Sequence, residues 1–417
     1  MLRQPAFGQR LKKMRAAQGL SQTALAGDGM STGYLSRLES GARQPTDRAV
    51  AYLAERLGVQ PADFEAPAGG SLANALSLAA STGADDALVT LQEALSAEGH
   101  ESPVLRWQAV WLLAEHCRRQ VDFEAERVHL EELIRLGDQV GLVPLRVRGL
   151  SRLSRCVRAL GDIPYSLELA MTAHQLSREH ALGVDDLAGV LLALLSAQSE
   201  AGRLTEAQAN ADELITLVEG RTDSLWAESL WGAAAIRARQ GDDAGAARLL
   251  QQALDGFSSK EDLVLWLRLR IAAGRSFVVQ TPPDAQAVQA CITGAEQALA
   301  FVGTDGLRQQ LNSLKVEYAF LTSRYDDAGA LLDELAQEQL RMSHRDQVRL
   351  DIFRNQLRIR SGDPSGVDGL RALAEQAHAD ANLDLAAHIW RLLAKALTEM
   401  QQDAADAVQT AAAHGSS

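Results

Sequence analysis

Cysteine is scarce: three residues in 417, Cys117, Cys156 and Cys291, too far apart to outline a disulfide framework. That scarcity suits a reducing compartment, with the thiols serving as small apolar core residues. Long apolar runs are missing too. The start, MLRQPAFGQRLKK, lacks the apolar segment of a secretion signal, and the strongest apolar stretch, Leu187–Leu195, is about half of what a bilayer span requires. The expectation is a soluble, cytoplasmic protein with no membrane partner. The usual material of catalysis is also absent. The nine histidines are scattered, and in the one close His/Cys pair, His116-Cys117, the side chains of adjacent helical residues diverge by about 100°. Neither GxxxxGK[ST] nor GxSxG occurs, and Gly27-Asp28-Gly29 follows a helical stretch instead of a strand, the wrong context for a phosphate loop. An enzyme is not expected, nor a metal or cofactor.

Charge is unevenly distributed. The chain carries a formal −13, yet residues 1–60 hold nine Lys/Arg against four Asp/Glu, a net +5, which leaves −18 for the remaining 357. A small basic head before a long acidic body points to a polyanion at one end only.

Within the head, Phe7, Leu11 and Met14 step by four and three, so FGQRLKKMRAAQ forms an amphipathic helix closed by Gly19. Ser21 can cap a second helix, QTALA, before Gly27-Asp28-Gly29 breaks the chain. Ser31 can cap a third, TGYLSRLES, that buries Leu35 and Leu38 and stops at Gly41. Thr46 can cap a fourth carrying Val50, Leu53 and Leu57, and Pro61 opens a fifth short turn that buries Phe64. Two short helices around a glycine-bearing turn make a helix-turn-helix, whose second helix fits the major groove.

The run L-S-Q-x-x-L-A … G-M-S-x-x-Y-L-S-R-L-E-S-G-x-x-x-P resembles the phage-repressor-like (XRE/Cro-type) helix-turn-helix domain across about residues 5–64. The resemblance implies phosphate contacts from Ser21 and Gln22, a DNA-facing helix start at Ser31, base-facing positions at Thr32, Gly33 and Arg37, and backbone contacts from Arg43, with Gln44, Lys12 and Lys13 as further candidates. Of the base-facing set only Arg37 can grip guanine bidentately. Arg15 and Glu39 match an internal ion pair. Two departures are visible: the family usually has one more residue between Ala26 and Gly29, and Gly33 replaces a side chain that often reads a base. Recognition then leans on Arg37, Thr32 and DNA shape.

Residues 65–71, EAPAGGS, read as a linker. From 72 to 417 the sequence is helical and carries recurrent turn marks: Val121-Asp122, Gly161-Asp162, Gly202-Arg203, Gly241-Asp242 and Gly362-Asp363. Their spacing near 40 is the signature of stacked helical hairpins. Apolar residues before each mark (Leu150, Leu153, Val157) and Ala-Leu after it (Ala246, Ala253, Leu254) resemble the tetratricopeptide repeat. About seven repeats are expected from near Glu101, with Leu72–Ala97 as a leading pair and Leu385–Ala413 as a cap. The expected fold is all-α: a five-helix repressor-like head, residues 1–64, and a right-handed superhelical tetratricopeptide-like solenoid, residues 72–417, serving as sensor and dimerisation domain.

Counting back from the turn marks projects Trp111, Arg118, Arg148, Arg155, Arg158 and Trp231 onto the inner face, with Asn355 and Arg358 added further along. Guanidinium forks beside flat aromatic rings suit a short peptide with a free C-terminus or acidic side chains, or a protein ligand. The alternative stays open that Arg148, Arg155 and Arg158 pair with acids of the next repeat and that the tryptophans are core.

A basic repressor-like head on such a body is similar to the peptide-pheromone-sensing (quorum-sensing) regulators of Gram-positive bacteria. It implies a homodimeric transcription regulator that binds double-stranded DNA at a palindromic operator, with ligand-modulated affinity. The competing reading is an interaction scaffold whose head has lost useful DNA affinity.

Overall fold

Each internal helix of the head starts on a hydroxyl. Ser21, Ser31 and Thr46 accept hydrogen bonds from the amides of Ala24, Tyr34 and Ala49 at 3.0, 3.2 and 3.3 Å. The computed structural model describes residues 4, 6–64, 72–97 and 102–414, so the 65–71 linker of the sequence reading lies outside the described residues. By packing density the chain divides into Met1–Ala109 and Val110–Ser417, and among the described residues both units are helical throughout.

The head comprises α1 (Ala6–Ala17), α2 (Gln22–Ala26), α3 (Thr32–Glu39), α4 (Asp47–Leu57) and a 3-10 turn, Pro61–Phe64. Its core is apolar: Phe7, Leu11, Leu25, Leu35, Leu38, Leu53 and Phe64 are essentially inaccessible, and the Phe7 and Phe64 rings tilt together at 5.4 Å. Close approach decides two glycines. A Cβ at Gly8 would lie 2.2 Å from the Leu38 carbonyl, and one at Gly29 2.3 Å from the Tyr52 ring. Tyr52 pins the turn after α2, its hydroxyl donating to the Ala26 carbonyl at 2.8 Å and accepting from the Gly29 amide at 3.1 Å. The second helix is only five residues long. The first unit continues with a helix pair, α5 (Leu72–Thr82) and α6 (Asp85–Ser96).

Helix α7 (Pro103–Arg119) runs across the division between the units. It opens seven helix pairs: α7 with α8 (Phe123–Val140), α9 (Val143–Leu160) with α10 (Ile163–Glu179), α11 (Val184–Glu200) with α12 (Leu204–Leu217), α13 (Ser224–Arg239) with α14 (Asp243–Gly256), α15 (Leu263–Val279) with α16 (Ala285–Val302), α17 (Asp305–Leu321) with α18 (Tyr325–Ala336), and α19 (His344–Arg360) with α20 (Ser365–Ala379). The 32-residue α21 (Leu383–His414) follows. The turn marks have a mechanical cause. Gly161, Gly202, Gly241 and Gly362 adopt left-handed backbone at φ 101°, 78°, 83° and 80°, where glycine carries no steric penalty. Asp122, Asp162 and Asp242 then cap the second helix of the pair through the amides of Ala125, Tyr165 and Gly245. One further mark stands in the same register, Ser323-Arg324: Ser323 takes the left-handed turn (φ 58°) as Val121 does (φ 58°), but the pair carries neither the Gly nor the Asp that distinguishes the other marks.

Consecutive pairs bury Leu150, Leu153, Val157, Ala246 and Ala253, the repeat positions expected from sequence. The body also meets itself across long sequence separations: α9 packs on α19 and α11 on α21. Gly161 lies where a Cβ would stand 2.9 Å from the His344 ring, and Gly306 where one would stand 2.6 Å from Val121. All three cysteines are free thiols, and burial pushes Cys117 and Cys291 up to about 11, which keeps them protonated and unreactive at neutral pH. Among the described residues no helix is long and apolar enough to cross a membrane.

Candidate DNA interface and inner face of the body

The third helix of the head presents one polar face. Thr32, Gly33, Ser36 and Arg37 are exposed while Leu35, Leu38 and Glu39 are buried, the division that helical periodicity demands of a helix lying on a core. A Cβ at Gly33 would meet nothing closer than the Arg37 Nη1 at 3.9 Å. Packing therefore does not impose this glycine, and the Arg37 guanidinium lies over the space it leaves. Arg43 is exposed, stacked at 5.0 Å on the Tyr34 ring, with its amide donating to the Arg37 carbonyl at 3.1 Å. Ser31 is an exposed helix cap, and Ser21 is another.

Glu39 organises the buried side of this face. Arg15 donates to both its oxygens at 2.6 and 3.0 Å, and Gln22 Nε2 to one of them at 2.7 Å. Burial raises the Glu39 carboxyl, but these hydrogen bonds outweigh it and hold the group below its usual range. The Gln22 amide has two hydrogens, so one remains for an outside acceptor while Glu39 fixes the side chain's direction. The ion pair expected between Arg15 and Glu39 is thus also the positioning element for Gln22.

In the body most of the projected inner-face arginines already have carboxylate partners. Arg148 meets Asp186 at 2.5 Å, Arg155 meets Glu228 at 2.9 Å, and Arg158 meets Glu200 at 2.6 Å. Arg118 has only a long contact with Glu115, at 3.5 Å. Trp111 is half-buried with the Arg152 guanidinium 5.6 Å from its ring centre, and Trp231 is half-buried against the core between α13 and α15. Asn355 stands apart from this group. It is buried between α19 and α20, hard against Gly369, donating to the Asp351 carbonyl at 2.9 Å and accepting from the exposed Arg358 at 3.2 Å.

Further arginines of the body, not projected from the sequence, also meet carboxylates. Arg152 bridges Glu115 and Glu126 at 2.6 and 3.0 Å. Arg239 and Arg345 share Asp384 at 2.9 and 2.6 Å, with Glu200 3.6 Å from Arg239. Arg275 joins Glu317 and Asp346, each at 3.0 Å, and Arg349 reaches Asp346 at 2.5 Å. Burial raises Asp346, yet Arg275 and Arg349 overcome it and bring the carboxyl down to about 2. Glu228 was within reach of sequence reasoning, standing 13 residues before Gly241 as Arg148 stands before Gly161. Arg268 and Arg275 were not, because no turn mark follows α15.

Residues 6–66 match the family model described as a helix-turn-helix domain. Among solved structures, the chain is similar to the Rap conjugation gene regulator of the plasmid pLS20 in complex with the Phr* peptide (TM-score 0.54, 11% identity, covering 90% of this chain and 96% of that one). It is similar to a Rap protein complexed with competence and sporulation factor (TM-score 0.53, 11% identity, 95% and 99%). A Bacillus thuringiensis PlcR in complex with the peptide PapR7 and DNA aligns at TM-score 0.43, with 14% identity over 73% of this chain and 98% of that one. No curated protein matches the sequence. The N-terminal residues 6–66 are therefore a helix-turn-helix domain, and the chain shares the all-helical, tetratricopeptide-like fold of the Rap proteins.

Proposed function

We propose that the protein is a DNA-binding transcription regulator whose operator affinity is set by a short peptide held on the inner face of the body. The observation that carries the DNA half is the exposed face of α3: Thr32, Gly33 and Arg37 lie open on a helix whose other side is locked by Leu35, Leu38 and the Arg15–Glu39 pair. In this reading Ser21 and Gln22 hold phosphates, Arg37 reads a base edge, and Arg43 contacts the backbone. Two copies of the chain, joined through the body that follows residues 65–71, place two heads on a palindrome with half-sites about 10 base pairs apart or a multiple. The peptide half is supported by the fold shared with a Rap regulator that was solved in complex with the Phr* peptide. Residues 1–64 form the DNA-binding part and 72–417 the sensing part.

The test is selection of genomic fragments by the full-length protein and by Arg37→Ala at about 0.1 M salt. Selected sites should weaken by about 1–3 kcal/mol in the variant, the value of one bidentate base contact. A wild-type protein that enriches no sequence above background overturns the reading.

A further inference from the structure

The inner face contains two kinds of charge cluster, and they differ in balance. Around Asp346 and Asp384, each of Arg239, Arg275, Arg345 and Arg349 has a carboxylate within 3.0 Å. Around Arg118 the account does not close. Glu115 is shared between Arg118 and Arg152, with the shorter bond going to Arg152, and Glu228 is taken by Arg155. Arg268 enters the same cluster from α15, and its Nη2 reaches only the carbonyl of Arg118, at 3.5 Å. Among the described residues Arg268 makes no ion pair. The Nε atoms of both Arg118 and Arg268 are buried without a hydrogen-bond partner. Burial and the neighbouring Arg118 charge pull the Arg268 guanidinium down to about 10, the direction expected of a cation short of counter-charge.

We infer that Arg118 and Arg268 form a carboxylate-binding site on the inner face, with their unpaired guanidinium donors as the recognition element. Guanidinium groups present parallel N–H donors that match a carboxylate, and a partly desolvated pair strengthens that contact. The remaining Glu115 and Glu228 disfavour a dianion, so the fit is to a singly charged group. Trp111, one turn before Glu115 on α7, and Trp231, one turn after Glu228 on α13, are half-buried apolar rings on the helices that carry these acids. A peptide C-terminus supplies both features, and a small organic acid supplies the first. This inference rests on the reading of the body as a ligand sensor.

The test is isothermal titration of the full-length protein with acetyl-Leu-Leu as the free acid, its C-terminal amide and sodium acetate, all against sodium chloride of equal ionic strength. The free acid should bind roughly tenfold more tightly than the amide, the loss expected when a charge-assisted contact goes. Arg268→Gln should abolish that difference, Arg268→Lys should keep part of it, and Arg127→Gln, on the exposed pair with Glu131, should leave it whole. Acetate binding with the same Arg268 dependence supports the site and assigns it to small acids; dependence seen with the dipeptide alone supports a chain end. Equal binding of acid and amide overturns the inference, as does no binding of any probe, or an undiminished difference in both Arg268 variants. Genomic-fragment selection on the same preparation separates the two readings: selected DNA with no carboxylate preference sinks only this site, and the reverse sinks only the regulator.

Discussion

The head and the body use the same helices and different glue. The head closes on apolar side chains, from Phe7 to Phe64, with one internal ion pair among the described residues, Arg15 to Glu39. The body packs neighbouring repeats with apolar side chains too, but where distant repeats meet it uses arginines and carboxylates: Arg155 to Glu228 and Arg239 to Asp384 join residues 73 and 145 positions apart. The difference follows from architecture. Sixty residues folded around one centre bring every helix to a common core, whereas stacked hairpins share apolar surface mainly with the next pair. Contacts between distant repeats then draw on long side chains, and arginine combines reach with five directed donors.

The sharpest break of this comparison is Arg152→Ala. It strands Glu126, whose side chain is 2% exposed and bonds to no other guanidinium among the described residues, so chemical denaturation should show the body destabilised by about 3–5 kcal/mol. In the head, Leu35→Ala, at a fully buried position, should cost about 2–5 kcal/mol by leaving a cavity, and a probe confined to the head should report it first. Acid should separate the two kinds of glue next. The Asp346 carboxyl is depressed from 3.8 to about 2, so its stabilising contribution is complete above about pH 4 and is lost as pH falls toward 2. By linkage that loss is about 2 kcal/mol, and a pH series of thermal melts should show it as steepening body unfolding between those values. Mutation of Asp346 to Asn should flatten that slope. The smallest effect belongs to the outer surface, where Arg127→Ala removes a pair with Glu131 whose side chains are both more than 40% exposed. It should change stability by less than about 1 kcal/mol in the same denaturation assay.

How far the sequence could be read depended on the range of the interaction. The caps at Ser21, Ser31 and Thr46, the left-handed glycines and the Gly-Asp marks were all legible, because a cap or a turn is decided within four residues. Ser323-Arg324 escaped because it contains neither the glycine nor the aspartate that distinguishes the other turns. Arg148, Arg155 and Arg158 meet Asp186, Glu228 and Glu200, which lie 38, 73 and 42 residues away; the turn marks place Glu228 in register, but no local pattern says which acid meets which arginine. Asn355 was chosen where the turns are irregular and no register could be counted, and its side chain packs between α19 and α20.

By itself the sequence determined the helices, their pairing into repeats of about 40 residues, and the basic tip ahead of an acidic body, because periodicity, capping and charge are properties of neighbouring residues. Only the tertiary structure decided which charges neutralise one another and which are left over. Arg268 is left over because the winding of α7 through α15 brings four guanidinium groups to one place where fewer carboxylates are free to answer them.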